Sequence, residues 1–292
     1  MAAANRHEPK ELCSVEFVIK FALQIDISIN YQERTVIFNM VDANDFSVFG
    51  IAPYYFFAGI GLMLAFAYFI LNISLLGKPV NRNAVILLIS LIGLGAGAIG
   101  FGYLTKICIA LYTRSPITNA LSSKVGIVFY GGLTGFILTF LILQKLINKV
   151  IDRTTINVFA VAIPLFHAFA RVGCFFAGCC YGKKVDTFIS VDYVLRGSTE
   201  VISVFPVQLA EASLNLILFF ILWYILVKHP PKNILPIYLI SYATYRFLLE
   251  FLRGDANRGV FGFLSFSQIY SLLIILAVSV TLFREDNKNE TV

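Results

Sequence analysis

His167-Ala-Phe-Ala-Arg171-Val-Gly173-Cys174-Phe-Phe-Ala-Gly178-Cys179-Cys180-Tyr181-Gly182 ends the fourth of seven apolar runs in this chain. An arginine, three glycines and three cysteines close a segment that otherwise reads as lipid-embedded. On insertion scales an arginine at a helix centre costs about 2.5–3.5 kcal/mol. Glycines there let the backbone approach something closely or leave the helix. Read as the end of a membrane helix, the stretch gives an all-α polytopic membrane protein and marks where its chemistry sits.

The flanking sequence agrees. The chain has 292 residues, 58% hydrophobic and 14% charged, with a mean hydropathy of +0.80. Seven runs long enough to span argue for one bundle rather than two soluble domains. They are Pro53–Leu76, Ala84–Ala110, Val125–Leu146, a fourth from near Thr155 into the cysteines, Pro206–Val227, Ile234–Leu252 and Phe263–Phe283. The second holds Gly93, Gly95, Gly97, Gly100 and Gly102, spacings that permit close helix contact. Residues 1–50 are polar with short alternation at Val15–Lys20 and Thr35–Asn39. They predict a small extramembrane cap with one or two strands. Residues 51–284 are expected to form the bundle and 285–292 a charged tail. The segment Tyr181–Val204 reads as a long loop carrying both signs of charge.

The net charge is +6. Many lysines and arginines sit in short loops between apolar runs, as topology and anionic headgroups favour. No basic helix or basic–aromatic patch stands free of the membrane, so nucleic acid is not an expected partner. With the N-terminus outside, the inner segments hold Lys78, Arg82, Lys145, Lys149, Arg153, Lys228, Lys232, Arg284 and Lys288. The outer ones hold Arg114, Lys124, Lys183, Lys184, Arg196, Arg253 and Arg258. The richer inner loops are also the short ones, which predicts N-out and C-in. Residues 1–14 are charged and lack the apolar core of a cleavable signal.

Three ionisable clusters lie on the runs. Arg171 follows His167 by one turn on the fourth, and Gln208 precedes Glu211 on the fifth. Arg246 and Glu250 share a helix face on the sixth, with Arg253 a turn further on. Intramembrane charges are functional by default. Two converging arginines suit an anion, because a guanidinium fork matches phosphate oxygens in two-point contacts. In a membrane the available phosphates belong to lipids, so the spacing points to a phospholipid headgroup without naming a reaction. The structural alternative, in which Arg246–Glu250 and Glu211–Arg171 only fix packing, stays open at this point. A lone histidine such as His167 is more often a satisfied core residue than a base or ligand.

Five cysteines give no paired extracellular framework. Cys13 is in a polar stretch and Cys108 in an apolar run. Cys174, Cys179 and Cys180 with His167 lack the usual zinc spacing, and a disulfide from Cys174 to Cys179 or Cys180 is an alternative in an oxidising compartment. The commonest role is small apolar residues packed against glycines. No metal and no cofactor are expected.

These segments together resemble the prolipoprotein diacylglyceryl transferase family of bacterial lipoprotein maturation, over about residues 50–283. The family's Gly-Arg-x-Gly-Asn-Phe-x-Asn-x-Glu-x-x-Gly lies without a gap over Ala170–Gly182, keeping Arg171, Gly173 and Gly182. Its Pro-x-Gln-Leu-Tyr-Glu is seen as Pro206-Val-Gln208-Leu209-Ala-Glu211. Tyr242-Ala-Thr-Tyr-Arg246-Phe247-Leu-Leu-Glu250-Phe251-Leu-Arg253 matches a third motif fully, and Gly131-Gly132-Leu133-Thr-Gly135 a fourth. The resemblance implies transfer of a diacylglyceryl group from phosphatidylglycerol to the lipobox cysteine of a prolipoprotein, with glycerol phosphate leaving. It places the chain in the bacterial cytoplasmic membrane, where a monomer is expected. Arg171, Arg246, Glu250, Tyr130 and His167 become the expected catalytic residues. Gly131, Gly132, Gly173, Gly182, Gln208, Glu211, Tyr242 and Arg253 become the expected substrate-binding residues. Another acceptor on the same scaffold, or a non-catalytic lipid binder, is the alternative.

The departures fall on polar positions. The family histidine before Gly-Gly-Leu is Tyr130, the motif asparagine is Cys174 and the motif glutamate is Cys179. The arginine expected in the second run is Ala98, and the histidine before Pro-x-Gln is Phe205. A tyrosine with pKa about 10 is a poor base at pH 7, though its hydroxyl would donate to phosphate. Proton handling then falls to the acceptor's own thiolate or to His167.

Overall fold

The computed structural model describes residues 27–30, 35–42, 48–118, 129–149, 152–185, 187, 189–194, 200–228, 233–255 and 260–290. Within them run seven α-helices: α1 (Pro53–Leu75), α2 (Val80–Tyr112), α3 (Phe129–Asn148), α4 (Arg153–Phe176), α5 (Val207–Lys228), α6 (Leu235–Leu249) and α7 (Phe266–Glu290). Six are long and apolar enough to cross a membrane. The exception is α6. Its 15 residues rise only about 22 Å, against a hydrocarbon core of about 30 Å. The apolar run continues to Leu252, but the backbone tightens into a 3-10 turn at Glu250–Leu252, where Glu250 turns into the protein.

Local chemistry sets the ends of the helices. Pro53 opens α1 at a position where a missing N–H costs nothing. Asp152 caps α4 by accepting from the Thr154 N–H and the Thr155 hydroxyl, and pairs with Lys78 at 3.0 Å. Burial alone would raise the Asp152 carboxyl, but the Thr155 and Lys78 contacts outweigh it and hold its pKa below the usual value. This contact puts the α1–α2 and α3–α4 connections on one side of the bundle. Asn157 of α4 accepts from the Ile234 N–H at 2.8 Å, satisfying an orphan donor ahead of α6.

The helices pack α2 on α3, α1 on α4, α4 on α5 and α6 on α7. Glycine allows the closest of these approaches. A Cβ on Gly97 would meet the carbonyl of Gly131, and one on Gly131 would meet Phe101 and the carbonyl of Gly97. α4 occupies the centre, with Val158, Ala160 and Val161 buried. Phe159 stacks on Phe140 and Phe136 with ring centroids 4.3 and 5.2 Å apart.

On the side opposite the Lys78–Asp152 contact lies a four-stranded sheet: β1 (Ile27–Asn30), β2 (Thr35–Asp42), β3 (Val191–Val194) and β4 (Val201–Val204). β1–β2 and β3–β4 are antiparallel, and β2 runs parallel to β3. The expected strand at Thr35–Asn39 falls within β2, while the one at Val15–Lys20 lies outside the described residues. The 181–204 segment is more than the loop its composition suggests. Val191, Tyr193 and Val204 are buried with Phe175 and Phe176 in a second small core. A hairpin, β5 (Val260–Phe261) with β6 (Leu264–Ser265), leads into α7.

Candidate active site

The intramembrane charges converge at the sheet side, where α4 ends, α5 begins and α6 ends. Glu211 is their hub and is only 1% exposed. Its Oε2 accepts from Arg171 Nη2 and lies 3.9 Å from Arg246 Nη1, while Oε1 lies 3.6 Å from His167 Nε2. Arg246 Nη2 pairs with Glu250 Oε2 at 2.7 Å, the i,i+4 contact expected from the sequence. Arg253 Nη1 reaches the same carboxylate oxygen at 3.5 Å. Buried charges of this kind persist only when paired.

Two residues of the network were not read from the sequence. Asp255 holds Arg253 by a fork, Nε to Oδ1 at 2.8 Å and Nη2 to Oδ2 at 2.6 Å. Burial would lower the Arg253 guanidinium, and the Asp255 hydrogen bonds raise it above its ordinary value. Asn215, one turn after Glu211, donates to the Glu211 carbonyl and accepts from the Tyr245 hydroxyl. Its spacing from Glu211 was visible in the sequence. Asp255 had only its place two residues beyond Arg253.

Arg171, Arg246, Arg253, Glu211, His167, Tyr130 and Tyr242 all line one cavity of about 1330 Å³. Its other walls are mostly apolar, Leu62, Met63, Phe66, Leu91, Phe136 and Ile163 among them. Drug-sized pockets hold about 300–1,000 Å³, so this one suits something larger. Two buried guanidinium nitrogens at the polar end, Arg171 Nε and Arg246 Nη1, have no hydrogen-bond partner among the described residues. Leaving a buried donor unmet costs about 1–3 kcal/mol. Such donors are explained by a ligand that meets them.

The remaining expected residues divide. His167 stacks on Phe129, centroids 3.7 Å apart, with Tyr242 at its edge. Tyr130 contacts the Ser271 hydroxyl, which itself donates to the Ser267 carbonyl at 2.8 Å. Ser271 therefore accepts, and the Tyr130 proton is committed to it. Its hydroxyl presents lone pairs, not the donor expected for phosphate. Gln208 Nε2 donates to the Cys179 carbonyl at 2.8 Å. Gly132 lines the cavity. Gly131 faces α2; Gly173 faces α1, where a Cβ would sit 3.0 Å from Tyr54 Cα; Gly182 faces Phe205 and Leu252. All three lie against neighbouring chain, and the Gly182–Arg253 bridge ties the cysteine turn to the end of α6.

Residues 43–284 match the family model described as prolipoprotein diacylglyceryl transferase. A phosphatidylglycerol–prolipoprotein diacylglyceryl transferase of Clostridium tetani is 29% identical over 246 residues, covering 82% of this chain and 96% of the relative. The enzyme of the same name from Chlorobaculum tepidum is 37% identical over 163 residues, covering 54% of this chain and 55% of the relative. A third, from Clostridium perfringens, is 31% identical over 52% of this chain and 59% of its own length. With the charged hub, the large apolar cavity and a match that reaches every described helix, the chain belongs to the prolipoprotein diacylglyceryl transferase family.

Proposed function

We propose that this bacterial multi-pass membrane protein transfers a diacylglyceryl group from phosphatidylglycerol to the lipobox cysteine thiol of a prolipoprotein. The observation that carries this reading is the pair of unmet guanidinium donors, Arg171 Nε and Arg246 Nη1, at the polar end of an apolar cavity. The acyl chains occupy the apolar length between α1, α2, α3 and α4. The phosphate sits against Arg171 and Arg246.

The acceptor's sulfur, as the thiolate with its proton already given to solvent, attacks the glyceryl carbon that carries the phosphate ester. A C–S bond forms, the C–O bond breaks, and glycerol phosphate leaves with the electron pair and a second negative charge. Arg171 and Arg246 oppose that charge as it develops at the polar end of the cavity. Glu211 and Glu250 hold the two guanidiniums in place, and His167 and Tyr242 brace Glu211 and the cavity wall. On this reading residues 51–284 form the transferase unit and residues 1–50 a cap. The sheet side faces outward from the cytoplasmic membrane, giving N-out and C-in.

The test incubates purified protein and a lipobox peptide with phosphatidylglycerol vesicles, then with phosphatidylcholine vesicles, and weighs the peptide by mass spectrometry. A diacylglyceryl adduct from the first alone is expected. An unmodified peptide from folded protein would overturn the reading.

A further inference from the structure

Cys174, Cys179 and Cys180 are gathered at the turn that follows α4. Their three Sγ atoms all lie within 4.8 Å of one another. The turn after α4 makes this possible. Gly178 and Cys180 both adopt left-handed backbone, with φ of +61° and +57°. Non-glycine residues adopt that conformation at an energetic cost, and they concentrate at functional sites. The turn folds the chain back so that Cys179 N–H meets the Cys174 carbonyl at 3.2 Å. Gln208 then pins the Cys179 carbonyl from α5.

Small apolar packing does not need a guanidinium, yet Arg171 Nη1 points at Cys174 Sγ from 3.8 Å. Two sulfurs bound to one zinc at about 2.3 Å in tetrahedral geometry lie about 3.8 Å apart. The observed Sγ separations, none above 4.8 Å, are close to that spacing. No further His, Cys, Asp or Glu among the described residues completes the set. Three protein ligands with a fourth position open is the pattern of a reactive zinc site, not a structural one.

All three cysteines line the same cavity as Arg171 and Arg246. We propose that they form a three-thiolate zinc site whose open position takes the acceptor thiol. The proposal rests on the transferase reading above, for which it supplies the thiolate that Tyr130 is not placed to generate. A thiol that coordinates zinc gives up its proton outright, here to solvent. Its sulfur then attacks the glyceryl carbon as glycerol phosphate departs. The thioether product is a neutral, weaker ligand and leaves, which reopens the fourth position. Nothing is oxidised or reduced.

The experiment measures metal in the full-length protein purified without chelator. Near one zinc per chain is expected, falling at least tenfold in Cys179→Ser and in Cys180→Ser and unchanged in Cys108→Ser, which lies outside the cavity. Cobalt exchanged into the wild type should show a thiolate-to-metal charge-transfer band, and a lipobox peptide should shift its d–d bands while a Cys→Ser peptide should not. Chelator treatment of the wild type gives the same contrast without any variant that fails to fold. Protein free of metal, with its cluster thiols all reactive toward a thiol reagent, would overturn the site. So would a disulfide between any two of the three. Bound metal that ignores the peptide overturns the acceptor role. A peptide-shifted spectrum without lipid transfer leaves the site standing and brings down the transferase reading instead.

Discussion

α4 and α7 are nearly equal in hydropathy, 1.8 and 2.0, and opposite in placement: 78% of the α4 window is buried inside the protein and 11% of the α7 window. Hydropathy places a helix in the membrane; it does not say which helix the others surround. Lipid tails are as apolar as leucine, so apolar residues gain little by facing protein. The position in the bundle follows from groups that lipid cannot satisfy. α4 carries Asn157, His167 and Arg171, each with a partner on another helix or with a place in the cavity. α7 has its buried polar residues, Gln268 and Ser271, near its start, beside the site. Beyond them it presents Leu272, Leu273, Leu276 and Val280 outward.

The largest effect expected is on the charged hub. Arg246→Ala should lower transfer about 10²–10³-fold, the usual loss for one preorganised donor to developing charge. Arg246→Lys should be nearly as poor, since an ammonium lacks the two-point fork. Leu273→Ala on the outer face of α7 should leave the rate alone. Equal losses at Arg246 and Leu273, measured as initial rates on phosphatidylglycerol vesicles, would erase the contrast.

Packing comes next. Phe159→Ala removes a ring stacked between α4 and α3 and should lower thermal stability in detergent by several degrees. Its cost should stay below the about 3–5 kcal/mol typical of water-soluble cores, because no transfer from water is lost between helices in lipid. Leu276→Ala should shift the midpoint little. A larger shift for Leu276 would mean that α7 has a protein neighbour on its outer face.

Tyr130→Phe sharpens the comparison where α7 does enter the site. It deletes the hydroxyl that donates to Ser271 and should slow transfer only a few-fold. A dead variant of normal stability would give Tyr130 a direct role in the chemistry.

The smallest effect lies at the cap of α4. Asp152→Asn keeps a capping oxygen but removes the charge facing Lys78, so at neutral pH it should cost a few tenths of a kcal/mol at most. The sign with pH is fixed. The folded Asp152 pKa lies below its unfolded value near 3.8. Its contribution is therefore present above that value and lost as pH falls through the folded pKa. Wild type and variant should converge in acid, checked by thermal melts across that range.

Much of the hub was legible in the chain. Arg246 and Glu250 lie four apart on an apolar run, and that spacing alone predicts their pair. Glu211 with Arg171 was visible only as one alternative, a partner that a buried charge could take. What stayed hidden depends on backbone conformation or on distant pairing. The cysteine triad closes only because Cys180 takes a left-handed φ, which spacing does not encode. Tyr130 reads as a donor until Ser271, on another helix, claims its proton. Glycine motifs recur for packing as readily as for binding, so Gly131 and Gly173 were indistinguishable from Gly132 until their neighbours were known. α6 looked like a full span because apolar residues continue through a turn where the helix has already ended.

The four-stranded sheet also has a timetable. β2 has no parallel partner until β3 has been made, and four membrane helices lie between them in the chain. At about 5–20 residues per second, the roughly 150 residues from Phe38 to Val191 take roughly 8–30 s to synthesise. For that interval β2 carries an unpaired edge beside the membrane, open to other chains. Arrival of the cysteine turn and β3 seals it, so closure of the cap reports that α4, and with it Arg171, has reached its place.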